Sequence, residues 1–302
     1  MSPLALGLVL ISACIHAGWN LLSKSQQPRP AFFLVASLTG ALFLSPVLFL
    51  HWGVAMALPP VIWRALALTG FCMALYYVGL AGAYRKGDLS VAYPLARSSP
   101  VIVVLVVSVL LGRGQEVSTA CVIGIILVVA GCFLIPLRQC AEFHPRNYLN
   151  AGCGLALLAA LGTTGYSIID DEALRHLRSH PPGGIGPIAL TLLYGCIQAA
   201  SAAFWQVLIV ASSARERTGL RQLMARRPGF PIAAGVAIYV AYALVLVALA
   251  HADNVSYIVG FRQISIPLGA LLGIVVLKEV PYRPKLAGVA VMFFGLLLIA
   301  FG

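Results

Sequence analysis

Residues 88–97 read DLSVAYPLAR and residues 253–262 read DNVSYIVGFR. Each begins with an acid and ends, nine residues later, on an arginine set in an apolar run, at an offset of 165. The correspondence extends outward. Residues 83–135 align with 248–299 at an offset of 164 to 165, so that Gly124 meets Gly288 and Gly131 meets Gly295. Upstream, Gly18-Trp19-Asn20 meets Gly165-Tyr166-Ser167 at an offset of 147. The chain is duplicated. The break falls near 138–147, where Arg138, Glu142, His144, Pro145 and Arg146 interrupt the apolar pattern. Repetition at this scale decides architecture before it decides function.

Of the 302 residues, 61% are hydrophobic and only 10% charged. A soluble domain needs more charge to cover its surface, whereas a bilayer solvates apolar side chains directly. Ten apolar runs follow one another, at about 4–22, 31–50, 62–83, 90–111, 117–137, 148–169, 185–211, 230–250, 255–277 and 285–301. Crossing a hydrocarbon core of about 30 Å takes ~20 helical residues. The length of the runs and their lack of alternation argue for helices over barrel strands. The first run lacks a basic flank and a cleavage signal, so it reads as a retained span. The expectation is an all-α polytopic membrane protein of ten transmembrane helices, in two five-helix repeats over 1–137 and 148–302. Five spans per repeat is an odd number, which forces the halves into opposite orientations.

The formal charge of +11 would suggest nucleic acid in a soluble protein. Here the loops explain it, and no nucleic-acid partner is expected. Of 20 Lys and Arg, 14 fall in the odd-numbered connections and four in the even-numbered ones. Basic residues stay cytoplasmic, so both termini are expected outside the cytoplasm of a cell (inner) membrane. The basic loop from Arg215 to Arg227 fixes topology and can touch anionic lipid headgroups. Seven cysteines show no C-x-x-C, and six lie in apolar spans as small hydrophobes. No metal, disulfide framework or cofactor is implied.

The stretch His16-Ala17-Gly18-Trp19-Asn20-Leu21-Leu22-Ser23-Lys24 resembles the first-helix signature of EamA-type members of the drug/metabolite transporter superfamily. An L-x-x-E-like turn and a Gly-x6-Gly helix, at Glu279, Gly288 and Gly295, are similar to that family's end-of-repeat pattern; in the first half Gln115 replaces the acid. The resemblance implies ten helices around a central cavity, alternating access, and export or import of small metabolites.

Arg97 and Arg262 are the sharpest candidates for chemistry. Counted from expected N-caps at Asp88 and Asp253, each lies about 13 Å along its helix, near the midplane. A charge there costs roughly 2.5–3.5 kcal/mol on insertion scales. Snorkelling to the interface is the competing reading, and matched positions in two repeats weaken it. All nine acids read as lying in loops or at span ends, with none mid-span. Two arginines without a mid-span counter-ion suit an anionic or zwitterionic substrate, because guanidinium grips carboxylate or phosphate bidentately. His16, Trp19 and Asn20 share one helix face, and Thr163, Ser167 and Asp170 repeat that stripe. Tyr93, Tyr166 and Tyr257 complete the expected substrate-binding set. Pro94, Pro100 and Pro267 are expected to kink or break the helices beside the arginines.

The function expected is a secondary active transporter, not an enzyme. Its partners would be a small-molecule substrate, a coupling ion and membrane lipid, and it would act as a monomer or homodimer. An intramembrane enzyme is the alternative, but the sequence has no H-E-x-x-H or G-x-S-x-G, and Asp170 and Asp171 are adjacent and so point to different helix faces. A passive channel or scaffold of similar topology is a third reading, without any filter-like loop to support it.

Overall fold

The computed structural model describes residues 1–24, 29–86, 89–139, 150–226, 228–275 and 280–302, without the side chains of 20–24, 84, 86, 89–95 and 273. Among the described residues every regular element is helical: α1 (Pro3–Lys24), α2 (Pro30–Leu50), α3 (Trp52–Met56), α4 (Pro60–Lys86), α5 (Leu89–Ser108), α6 (Thr119–Leu134), α7 (Ala151–Ser179), α8 (Pro187–Ser212), α9 (Ala214–Arg226), α10 (Gly229–Ala248), α11 (Val255–Phe261), α12 (Ser265–Val275) and α13 (Arg283–Phe301).

Eight segments among the described residues are long and apolar enough to cross a bilayer: Pro30–Leu50, Pro60–Ala83, Ala96–Glu116, Ala151–Ser179, Pro187–Ser212, Gly229–His251, Val255–Leu272 and Arg283–Phe301. The first and fifth expected spans correspond to shorter apolar helices, Pro3–Trp19 and Thr119–Leu134. The chain is a multi-pass membrane protein. Side chains such as Leu42, Phe49, Ile126 and Phe294 are exposed, and in a membrane lipid tails would cover them.

The basic stretch after α8, expected as a loop, is the helix α9. Arg, Glu, Leu, Gln and Met are strong helix formers, and the helix turns Glu216 inward to Arg85 at 3.4 Å.

Local chemistry departs from expectation beside the arginines. α5 continues as one helix through Pro100 and ends in a widened turn, Val109–Arg113, where Gly112 takes φ 78°. On the other side the helix does change at the arginine. α11 stops at Phe261, a 3₁₀ turn spans Arg262–Ile264, and α12 follows. Pro267 has no N–H for the Gln263 carbonyl, which favours tighter bonding there. The N-cap of α11 is Asn254, whose side chain accepts from Ser256 N at 2.9 Å, not Asp253. Asp88 lies outside the described residues.

The main helix contacts join α1 to α10, α4 to α7, α2 to α8, and α6 to α13. The last pair is close because of glycine. A Cβ on Gly124 would stand 2.6 Å from the Gly295 carbonyl oxygen, and one on Gly131 2.6 Å from that of Gly288. Small residues at such crossings let backbones approach. α4 and α7 use the same device, where a Cβ on Gly162 would meet the Cys72 carbonyl oxygen at 2.6 Å.

Candidate functional site

A cavity lies between α1, α4, α5, α7 and the α11–α12 junction. His16, Arg97, Tyr166 and Arg262 all line it, together with Thr163 and Tyr76. Four of the eight residues expected at the site are therefore brought together.

His16 Nδ1 accepts a hydrogen bond from Trp19 Nε1 at 3.1 Å. In the neutral ring this leaves the proton on Nε2, a buried atom with no partner. Trp19 does not line the cavity. It is buried behind His16, the two rings edge to face with centroids 5.0 Å apart.

Arg97 donates to Ser265 Oγ at 2.6 Å, which ties α5 to α12. Arg262 stands over the Tyr242 ring, its guanidinium carbon 5.6 Å from the centroid. Among the described residues, no carboxylate lies within the 4.0 Å of an ion pair from Arg262. Tyr166 meets Tyr242 edge to face at 5.4 Å between centroids, so the wall below Arg262 is aromatic.

Tyr257 has a different task. Its hydroxyl oxygen accepts from the Ser118 backbone N–H at 3.0 Å, holding the start of α6, and it does not line the cavity. The side chains of Asn20 and Tyr93 lie outside the description.

The expectation that every acid lies in a loop or at a span end does not hold for Asp170. α7 runs ten residues past the expected end of the sixth span, to Ser179, and Asp170 within it is 0% exposed. Its Oδ1 accepts from Thr69 Oγ1 and from the Tyr194 hydroxyl, each at 2.7 Å. Its Oδ2 accepts from Gln198 Nε2 and the Tyr242 hydroxyl. A carboxylate taken out of water needs such compensation. The apolar run ends at residue 169, which is why the sequence reading stopped there. The available signal was the stripe Thr163, Ser167, Asp170, together with the i,i+4 spacing of Asp171 and Arg175 that carries the helix onward.

Asp171 points elsewhere, as adjacency requires. Arg113 reaches it at 2.8 Å and Arg175 at 3.1 Å. Glu116 joins through Arg113 at 3.0 Å and Asn254 at 3.0 Å. This network knits the turn after α5 to α7 and to the start of α11.

No curated protein matches the chain. A protein of known crystal structure, 16% identical, superposes with a TM-score of 0.63 over 98% of this chain and 96% of its own. At that identity the likeness is one of fold. Residues 3–137, somewhat under half of the chain, match the model of the EamA-like transporter family, and over that stretch the chain is similar to it.

Proposed function

We propose that the chain is a secondary transporter that moves a small anionic or zwitterionic metabolite across the membrane by alternating access. The observation that carries this reading is the cavity itself. It presents two guanidinium groups and an unpartnered imidazole nitrogen, with no acid among its described lining residues. Arginine in such a setting suits carboxylate or phosphate.

Ten spans arranged as inverted repeats, 1–137 and 148–302, give this cavity a reason to exist. Under the sequence offsets, α1 corresponds to α7 and α4 to α10, so the contact of α1 with α10 and that of α4 with α7 are counterparts. The contacts of α5 with α7 and of α1 with the α11–α12 segment correspond likewise. In the glycine crossing, Gly124 against Gly295 maps onto Gly288 against Gly131. Arg97 pairs with Arg262 and His16 with Thr163 under the same offsets, and all four line one cavity. A site shared by both halves is what rocking of one repeat against the other exposes alternately to each side.

A hydrolytic reading is less well supported. Ser12, one turn from His16, gives its hydroxyl to the Ala241 carbonyl at 2.7 Å, and the His16 Nδ1 is taken by Trp19. Among the described residues no general base is left beside that serine.

The test is a thermal-shift screen of purified protein against amino acids, organic acids, phosphorylated or phosphonylated metabolites, and cationic controls. A ligand at 100 times its dissociation constant adds about 2.7 kcal/mol of stability. Hits are then taken into proteoliposomes, where a carrier shows saturable, trans-stimulated flux. Hits confined to cations, or flux that does not saturate, overturn the reading.

A further inference from the structure

We propose that Asp170 is the proton-carrying site of the transport cycle, linked to anion binding at Arg262 through the side chain of Tyr242. The linkage rests on the anion-transport reading above; the assignment of Asp170 as a proton site does not.

Transport through this cavity needs no buried acid, yet the chain keeps one beside it. Asp170 is wholly enclosed, and among the described residues it has no ion-pair partner but accepts from four neutral donors on α4, α8 and α10. Three of the four are hydroxyls, which can turn from donating to accepting; the fourth is the Gln198 amide. The cluster also holds a spare acceptor. Gln198 Oε1 is buried with no partner, while its Nε2 serves both Asp170 and Thr69 Oγ1. One proton added to the carboxylate is therefore absorbed by hydroxyl rotation. It gives a carboxylic acid, and the donor it displaces finds an acceptor within the cluster.

A route leads to it. Thr163 lines the cavity, Ser167 lies one turn on, and Asp170 completes the same face of α7. Ser167 Oγ is buried without a partner, a polar atom between cavity and carboxylate.

The link to the substrate runs through one ring. The Tyr242 hydroxyl donates to Asp170, and its face carries the Arg262 guanidinium. Ionised Asp170 offsets part of the Arg262 charge; protonated Asp170 leaves that charge whole for a ligand anion. Proton and anion then favour each other's binding, as reciprocal linkage requires. Among the described residues, the other titratable groups around Asp170 are Cys72 on α4, Tyr194 on α8 and Tyr166 on α7. Asp171 turns away to Arg113 and Arg175, while Arg97 on α5 and His16 on α1 lie across the cavity.

The experiment has two arms. In the first, pH-difference infrared spectroscopy of the reconstituted protein looks for the carbonyl stretch of a protonated carboxyl group. The band is expected to appear as pH falls, to vanish in Asp170→Asn, and to persist in Tyr242→Phe. Asp170→Glu, which keeps the acid and displaces the band, reads its identity if the Asn variant does not fold. No titrating band, or a band unchanged by both substitutions, overturns the assignment.

In the second arm, proteoliposomes holding a trapped pH dye receive a gradient of inorganic phosphate or succinate. Proton movement with the anion is expected, with about tenfold tighter anion binding on the acidic side of the titration. Tyr242→Phe should keep the infrared band and lose most of that pH dependence. If neither anion moves protons, the linkage to anion binding falls and the first arm alone decides Asp170. Anion-driven proton movement that survives in the Asp170 variants assigns coupling elsewhere and overturns the proposal.

Discussion

The Arg113 guanidinium donates to the Asp171 carboxylate at 2.8 Å and so fastens the turn after α5 to α7. The carboxylate is 1% exposed and the arginine 15%, so the pair is shielded from water. Removing one partner of a buried pair strands the other charge, at a cost of roughly 3 kcal/mol. Arg113→Ala is expected to lower the melting temperature of the detergent-solubilised protein by several degrees. Arg175, which also reaches Asp171, keeps the loss from being larger. An unchanged melting temperature would show that Arg175 alone suffices.

The glycine crossing between α6 and α13 gives a sharper test of packing. A Cβ on Gly131 would lie 2.6 Å from the Gly288 carbonyl oxygen and would overlap Met292 Cγ. The methionine can move; the backbone can do so only if the helices separate. Gly131→Ala should therefore cost about 1–3 kcal/mol, the usual penalty for overpacking. Gly154→Ala is the control, because a Cβ there meets nothing within 4 Å. Better helix propensity should make that change neutral or stabilising by up to about 1 kcal/mol. Chemical denaturation of both variants in one detergent compares them directly.

Orientation can be read from a reporter. The 14-to-4 division of basic residues predicts that the odd-numbered connections, α9 among them, face the cytoplasm. Both chain ends then face away from it. Alkaline phosphatase fused after Gly302 is expected to be active, and a fluorescent protein that folds only in the cytoplasm to stay dark. The opposite pair of results reverses the topology.

The apolar runs made the helical architecture legible, because lipid imposes one rule on every span. Arg97 and Arg262 were legible for the same reason: a charge inside an apolar run is conspicuous. What stayed hidden was Asp170, since a helix that leaves the apolar pattern need not leave the protein. Its four donors come from positions 69, 194, 198 and 242, which no local pattern joins. Tyr257 shows the converse. Its spacing from Arg262 fits a shared site, but its hydroxyl is committed to the backbone N–H of Ser118, the N-cap of α6.

The two arginines remain the decisive residues for the anion reading. They line one cavity, from positions that correspond under the sequence offset of 165. Asp170, buried within α7, is held by neutral donors and approaches Arg262 through the Tyr242 ring. Lys in place of either arginine keeps the charge but loses the planar fork. It should weaken binding of the best anionic hit by about tenfold, which corresponds to about 1.4 kcal/mol. Ala removes the charge, lowers the insertion cost by roughly 2.5–3.5 kcal/mol, and should leave expression intact while binding is lost. Arg262→Ala also uncovers the Tyr242 ring, whereas Arg97→Ala frees Ser265, so the two variants need not fail equally. Isothermal titration of each purified variant reads the affinity, and membrane yield reads insertion. If both Ala variants bind the anion with unchanged affinity, the arginines are snorkelling anchors and recognition lies elsewhere. If the preferred ligand proves to be a cation, the cavity survives as a site but its arginines cannot be the groups that hold it.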